Sequence, residues 1–225
     1  LGEHLFTYDN PPAERDVRRT VAILEKDGVI AYPTDLNWAF GCDAASPKAI
    51  DRIYRLKPSH PKDRPFSLIC SSISQAAEYV NIGNAEYRIL KKAWPGPYTV
   101  LLTATRSFPR QLKDKRRVVG IRIPDCNLIR AIVDALGRPL ATTSVPPIRE
   151  AGEDEETGDE IPIYPRFGYE VEEIYGHAVD LILDLGSEHP GIESTVVDMT
   201  EGYPQIVRVG AGDPKLFESA VPEAE

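Results

Sequence analysis

Three cysteines in 225 residues, Cys42, Cys70 and Cys126, are too few and too scattered for a disulfide framework. None falls in a Cys-x-x-Cys string or a Cys/His cluster of zinc spacing, so reduced, buried thiols are expected. No stretch approaches the roughly 18 apolar residues that a membrane-spanning helix needs. The opening LGEHLFTYDNPPAERD is polar and acidic, without the basic and apolar regions of a signal peptide, and a cytoplasmic protein is expected. His4, His60, His177 and His189 are dispersed and read as surface or capping residues rather than metal ligands. GxGxxG, GxxxxGK with Ser or Thr, GxSxG and HExxH are all absent, which removes the common dinucleotide, P-loop, hydrolase and metalloprotease signatures.

Acidic residues outnumber basic ones, 35 to 26. A net charge of −9 argues against binding nucleic acid through broad counterion release. The distribution tempers that argument, because EAGEDEETGDE (150–160) has no Lys or Arg and carries seven of the nine excess negative charges. The rest of the chain stands at −2, so a concave face bearing Lys and Arg is compatible with the composition. The acidic segment has almost no large apolar residue, and burial cannot offset its ordering entropy. It reads as an exposed flap over about 149–162, either a plain insertion or a mobile lid, with the insertion preferred.

What is present is an interleaving of helix and strand patterns. Residues 13–27 place Val17, Val21 and Leu24 at helical spacing and stop at Gly28. VIAYP follows as a strand that Pro33 halts. This leaves Thr34 free to face a small ligand, with Trp38 and Phe40 packed beneath it. Residues 46–56 open on a Ser N-cap and a Pro at the first helical position, with Ile50, Ile53 and Leu56 on one face. A basic, proline-rich loop (57–65) leads to the strand FSLIC and the helices SISQAAEYV and NAEYRILKKAW. The strands GPYTVLLTAT and VVGIRIP, the helix CNLIRAIVDALG and the strand PLATTSV come next. Beyond the flap come a helix, YEVEEIYG, a strand, AVDLILDLG, and a hairpin of STVVDMT with PQIVRVG. The pattern has no internal repeat and predicts one mixed α/β domain over 1–225, with its core at about 14–216.

Short polar clusters sit at the strand ends, where ligands bind in α/β sheets: YPTDLNW, KPSHPKDRP, GIRIP, TTSVP, ESTVVD and VRVGAG. They supply hydroxyls, cations and close backbone approach at glycine, a set suited to a nucleoside triphosphate and a small acid. Structural roles compete with that reading. Thr34 and Asp35 can form a turn, Ser144 can satisfy buried backbone, and Lys57, Lys62 and Arg64 can be a solvated loop. Arg122 and Arg208 lie inside apolar strands, where an unpaired guanidinium is costly; each needs a ligand or a buried ion pair.

In this order the strings DGVIAYPTDLNWAFGCDA, IYRLK, WPGPYTVLL, VGIRIPD, GIESTVVDMT and IVRVGAG resemble the YrdC family over roughly 14–216. Its best-known members make threonylcarbamoyl-adenylate from threonine, bicarbonate and ATP for tRNA modification. The resemblance implies an α/β, YrdC-like open twisted mixed sheet with helices around a large concave cavity. It further implies ATP as substrate, accompanied by Mg²⁺, in a nucleotidyl-transfer reaction. By the same resemblance Thr34 and Arg122 hold threonine and Lys57, Arg64 and Ser144 are catalytic. Lys57, Lys62, Arg64, Thr143, Ser144, Ser194, Thr195 and Arg208 contact the nucleotide, and no residue is a metal ligand.

The chain departs from the active synthases at their Lys-x-Arg and Ser-x-Asn pairs. With Lys57 as the first lysine, Ser59 stands at the arginine, whereas Lys62 and Arg64 restore the pair in another register. Pro146 replaces the asparagine and has neither an amide side chain nor a backbone N–H. Asn37 and Trp38 replace a small or β-branched residue and a tyrosine. These changes resemble the YciO branch more than the standard synthase. Two other classes use the same residues. One is a double-stranded RNA or tRNA-binding module built on Lys113, Lys115, Arg116 and Arg117 beside Arg122 and the 57–64 loop. The other is an AMP- or adenylate-binding protein that has lost turnover.

Overall fold

The computed structural model describes residues 2–57, 66–109, 112, 117–153 and 160–218. In chain order the first half holds β1 (Glu3–Phe6), α1 (Glu14–Leu24), β2 (Val29–Pro33), β3 (Trp38–Asp43), α2 (Pro47–Leu56), β4 (Ser67–Ile69), α3 (Ile73–Tyr79), α4 (Asn84–Ala93) and β5 (Tyr98–Thr103). The second half holds β6 (Val118–Arg122), α5 (Asn127–Leu136), β7 (Leu140–Ser144), β8 (Arg149–Glu153), β9 (Glu160–Ile163), α6 (Gly168–Tyr175), β10 (Leu181–Asp184), β11 (Thr195–Asp198), β12 (Gln205–Arg208) and α7 (Lys215–Glu218). Ten strands form one mixed sheet in the order β1-β10-β2-β3-β7-β4-β6-β5-β11-β12. β10 runs parallel to both β1 and β2, and the β2-β3-β7-β4 stretch is antiparallel throughout.

Helices cover the sheet because its central strands bury both faces, which leaves continuous apolar runs such as VIAYP and LILD. One core gathers Phe40, Ile53, Phe66, Val100 and Ile121. The other gathers Leu24, Ile30, Ile129, Ile132 and Leu183 between the sheet and the α1–α5 pair. Local chemistry sets the helix ends as the sequence predicts. Ser46 Oγ accepts the Ala49 N–H at 3.1 Å, and Gly137 closes α5 in the left-handed region at φ 72°. Cys42, Cys70 and Cys126 are free and buried.

Four features differ from the sequence expectation. WAFGCD is a strand, β3, pairing with β2 from Pro33↔Trp38 to Val29↔Cys42. It is buried at every position, so it shows no alternation to betray it. β1 is a short edge strand with mostly half-buried residues. The flap holds a hairpin, β8 with β9, outside the main sheet, while residues 154–159 lie outside the described set. His189 is 5% exposed, not a surface residue.

Candidate active site

The β2–β3 hairpin turn is built by Thr34. Its hydroxyl donates to the Asn37 carbonyl at 2.8 Å and accepts the Leu36 and Asn37 N–H groups at 3.1 Å each. Thr34 thus builds the turn that the sequence allowed, with its hydroxyl proton committed to the Asn37 carbonyl, and it also lines a cavity. The cavity encloses about 390 Å³ against the sheet, within the range of small-molecule sites. Tyr32, Thr34, Asn37 and Ala39 form one wall, with Ser67, Ile69, Thr99 and Leu101 below. Lys57, Arg122, Thr142, Thr143, Ser144, Glu193, Ser194, Val196 and Arg208 complete the lining.

Three cations reach this cavity by different routes. Lys57 is the residue that ends α2, so its side chain is delivered past the helix terminus. Its Nζ donates to Ser144 O at 3.1 Å and to the hydroxyls of Ser144 and Thr143 at 3.3 Å. Burial depresses its pKa, Glu193 opposes that shift and Arg208 adds to it. Arg122, at the end of β6, binds Asp35 through Nη2 at 2.5 Å. The two side chains are 9% and 15% exposed. The Arg122 Nε is buried and has no partner among the described residues. Arg208 pairs with Glu193 at 2.8 Å. It also donates to Ser194 O at 2.9 and 3.2 Å, while Ser194 and Thr99 hydroxyls bond at 2.8 Å.

Each arginine thus has its own carboxylate, whereas Lys57 rests on neutral oxygens among the described residues. The arrangement offers one net positive charge and a ring of hydroxyls. Those features suit an anion bearing several oxygens.

Of the residues singled out in the sequence, Thr34, Lys57, Arg122, Thr143, Ser144, Ser194 and Arg208 line this one cavity. Thr195 does not. It is fully buried, donates to Gly212 O at 2.6 Å and accepts the Gly210 N–H at 2.9 Å, which holds the glycine turn behind the wall. Lys62, Arg64, Lys113, Lys115 and Arg116 lie outside the described residues. Arg117 donates to the Ala104 carbonyl at 3.0 Å. Glu193 is a site residue that sequence reasoning missed, although it stands beside Ser194 in the GIEST string. Tyr164 adjoins it, its hydroxyl pushed up to about 12 by burial and by Glu193. Among the described residues no group of three or more His, Cys, Asp or Glu side chains is placed to hold a metal ion.

The family model for Sua5/YciO/YrdC, described as telomere recombination, matches residues 22–210. The chain belongs to this family. A Haemophilus influenzae protein described only as uncharacterized is 35% identical across 96% of this chain and its own full length. Threonylcarbamoyl-AMP synthase of Klebsiella pneumoniae is 31% identical over 69% of this chain and 85% of its own. Among solved structures, Escherichia coli YciO superposes with a TM-score of 0.83 at 31% identity, covering 96% of this chain and all of its own. P. abyssi Sua5 complexed with L-threonine shares the fold at a TM-score of 0.81 and 24% identity, over 98% of this chain and 61% of its own. The YrdC-like sheet and the placement in the YciO/YrdC family read from the sequence are borne out. Among the described residues no helix is long and apolar enough to cross a membrane.

Proposed function

We propose that the cavity is the active site of an ATP-dependent synthase that forms threonylcarbamoyl-adenylate, or a closely related acyl-adenylate, for tRNA modification, and that 1–225 works as one domain. The observation that carries this reading is the convergence of Lys57, Arg122 and Arg208 with the hydroxyls of Thr143, Ser144 and Ser194 on one cavity. Kinship with threonylcarbamoyl-AMP synthases supplies the substrates.

In this reading the threonine amine adds to bicarbonate, water leaves, and a carbamate forms. One carbamate oxygen attacks the α-phosphorus of ATP, making a C–O–P anhydride while the bond to the β-phosphate oxygen breaks and pyrophosphate departs. Arg122 and Thr34 face the amino acid. Lys57, Thr143, Ser144, Ser194 and Arg208 face the nucleotide, where fixed positive charge and donors stabilise charge gathering on the phosphates. Mg²⁺ enters as part of the nucleotide substrate. Lys57 occupies the cavity directly, so the Lys57 register supplies the lysine that the reading needs, and Pro146 is not among the lining residues.

Purified protein with ATP, threonine, bicarbonate and Mg²⁺ is expected to release pyrophosphate and yield the adenylate by mass spectrometry. No product above a Lys57→Ala/Arg122→Ala control would overturn the reading. ATP binding without product would leave the adenylate-binding alternative standing.

A further inference from the structure

Among the described residues Glu193 is the one carboxylate that lines the cavity. It immediately precedes Ser194, ahead of β11, and the pairing of β11 with β12, Val196 opposite Arg208, brings the end of β12 against it. Its Oε1 accepts from Arg208 Nη1 at 2.8 Å, while Arg208 Nε and Nη2 donate to Ser194 O at 3.2 and 2.9 Å. The Ala211 N–H donates to the Glu193 carbonyl at 2.9 Å, which fixes the backbone from which the side chain reaches. This pair differs from the other ion pair at the cavity. Arg122 and Asp35 are 9% and 15% exposed, and a guanidinium so placed needs its carboxylate. Arg208 and Glu193 are 41% and 35% exposed, where solvent and the Ser194 carbonyl can serve the guanidinium without one. An acid that burial does not demand, on the wall of a cavity suited to anions, opposes the binding that its neighbours favour.

We propose that Glu193 is a specificity-determining residue: its carboxylate holds the cavity to a low net positive charge, and so selects a polyphosphate partly neutralised by a bound divalent cation over the bare polyanion. Among the described residues Lys57, Arg122 and Arg208 stand against Asp35 and Glu193, so removing the Glu193 charge doubles the net positive charge. Every added negative charge on the ligand meets the repulsion of this carboxylate. The penalty therefore grows with the charge of the ligand rather than with its shape. Because the pair is open to water, the penalty is screened and weakens as salt rises. A group that merely braced Arg208 would act in the opposite direction, and its removal would weaken every anion alike. Glu193 acts in this way at the nucleotide end of the synthase reading, on which the choice of ligand rests.

Calorimetry at low salt with EDTA present measures orthophosphate, pyrophosphate and tripolyphosphate on the wild-type protein, on Glu193→Gln and on Glu193→Asp. Glu193→Gln keeps the size and an acceptor for Arg208 and loses the charge. Its Tm should stay within about 4 °C of wild type, since an exposed pair contributes little. The gain in affinity should climb along the series, from about threefold or less for orthophosphate to about tenfold or more for tripolyphosphate, because its logarithm scales with the charge of the ligand. Glu193→Asp, which keeps the charge, should restore the wild-type slope. With ATP the gain should be larger in EDTA than in excess Mg²⁺. An equal change for all three anions, no change, or a loss of affinity in Glu193→Gln overturns the role of Glu193, as does a series just as steep in Glu193→Asp. Adenylate formed by a protein whose series stays flat overturns that role alone. A series that steepens in a protein forming no adenylate overturns the synthase reading alone, and failure of every polyphosphate to bind overturns both.

Discussion

Replacing Arg122 by alanine strips Asp35 of its counter-ion in a place where little water reaches. The two side chains are 9% and 15% exposed and meet at 2.5 Å. Removing one partner of a buried pair costs about 3–5 kcal/mol, and the cavity beside this pair admits some water, so the lower end, about 3 kcal/mol, applies. For a chain of this size each kcal/mol lowers Tm by roughly 2–4 °C, giving a fall of about 6–12 °C. Arg122→Met with Asp35→Leu removes both charges and should return to within about 1 kcal/mol of wild type. Urea titration with unchanged m-values measures both. If Arg122→Ala costs less than about 0.5 kcal/mol, the pair behaves as a solvated surface bridge and the reasoning fails. Equal losses in the single and double variants would also refute it, because the cost would then come from packing rather than from an orphaned charge.

Lys57→Met keeps the length of the side chain and removes its charge. ATP affinity should drop about tenfold or more while Tm holds or rises, since burial already opposes the charged form; calorimetry and a thermal scan read the two effects, and unchanged ATP affinity would count against the cavity as the nucleotide site. His4 is bonded to Glu172 at 2.6 Å and Asp184 at 2.8 Å. Burial disfavours its charge, but the two carboxylates outweigh that and raise its pKa. The stabilisation is therefore complete below the unfolded value and lost as pH rises through the folded one. The stability gap between wild type and His4→Asn should be wider at pH about 6 than at pH about 9, and a gap that widens with pH would contradict this. A Cβ on Gly168 would overlap Asp184 Oδ2 and crowd His4 Nε2. Gly168→Ala should then cost about 1–3 kcal/mol by denaturation and abolish the pH dependence of the His4 pair.

How far these features could be read in the sequence depended on whether their signal was local. α1, α2 and α5 announce themselves through apolar spacing and end chemistry at Ser46, Pro47 and Gly137. β3 has no such mark because both its faces are covered, and β1 and the β8–β9 hairpin are too short and polar to show a strand period. Lys57, Arg122, Ser144, Ser194 and Arg208 could be singled out because charged and hydroxyl residues cluster at strand ends in family order. Their partners could not be read. Asp35 lies 87 residues from Arg122, and no sequence period links Glu193 to Arg208. Thr195 looked equivalent to Ser194, but successive strand residues point to opposite faces, so only one of the two enters the cavity. The burial of His189 carries no sequence signal, since the Trp38 ring it meets lies on a distant strand.

The central claim is that one cavity takes a nucleotide and an amino acid together. A crystal soaked with ATP and threonine tests it most directly. The account expects phosphate oxygens beside Lys57, Ser144, Ser194 and Arg208, with the amino acid against Thr34 and Arg122. Nucleotide bound elsewhere, or an empty cavity at saturating ligand, would contradict it.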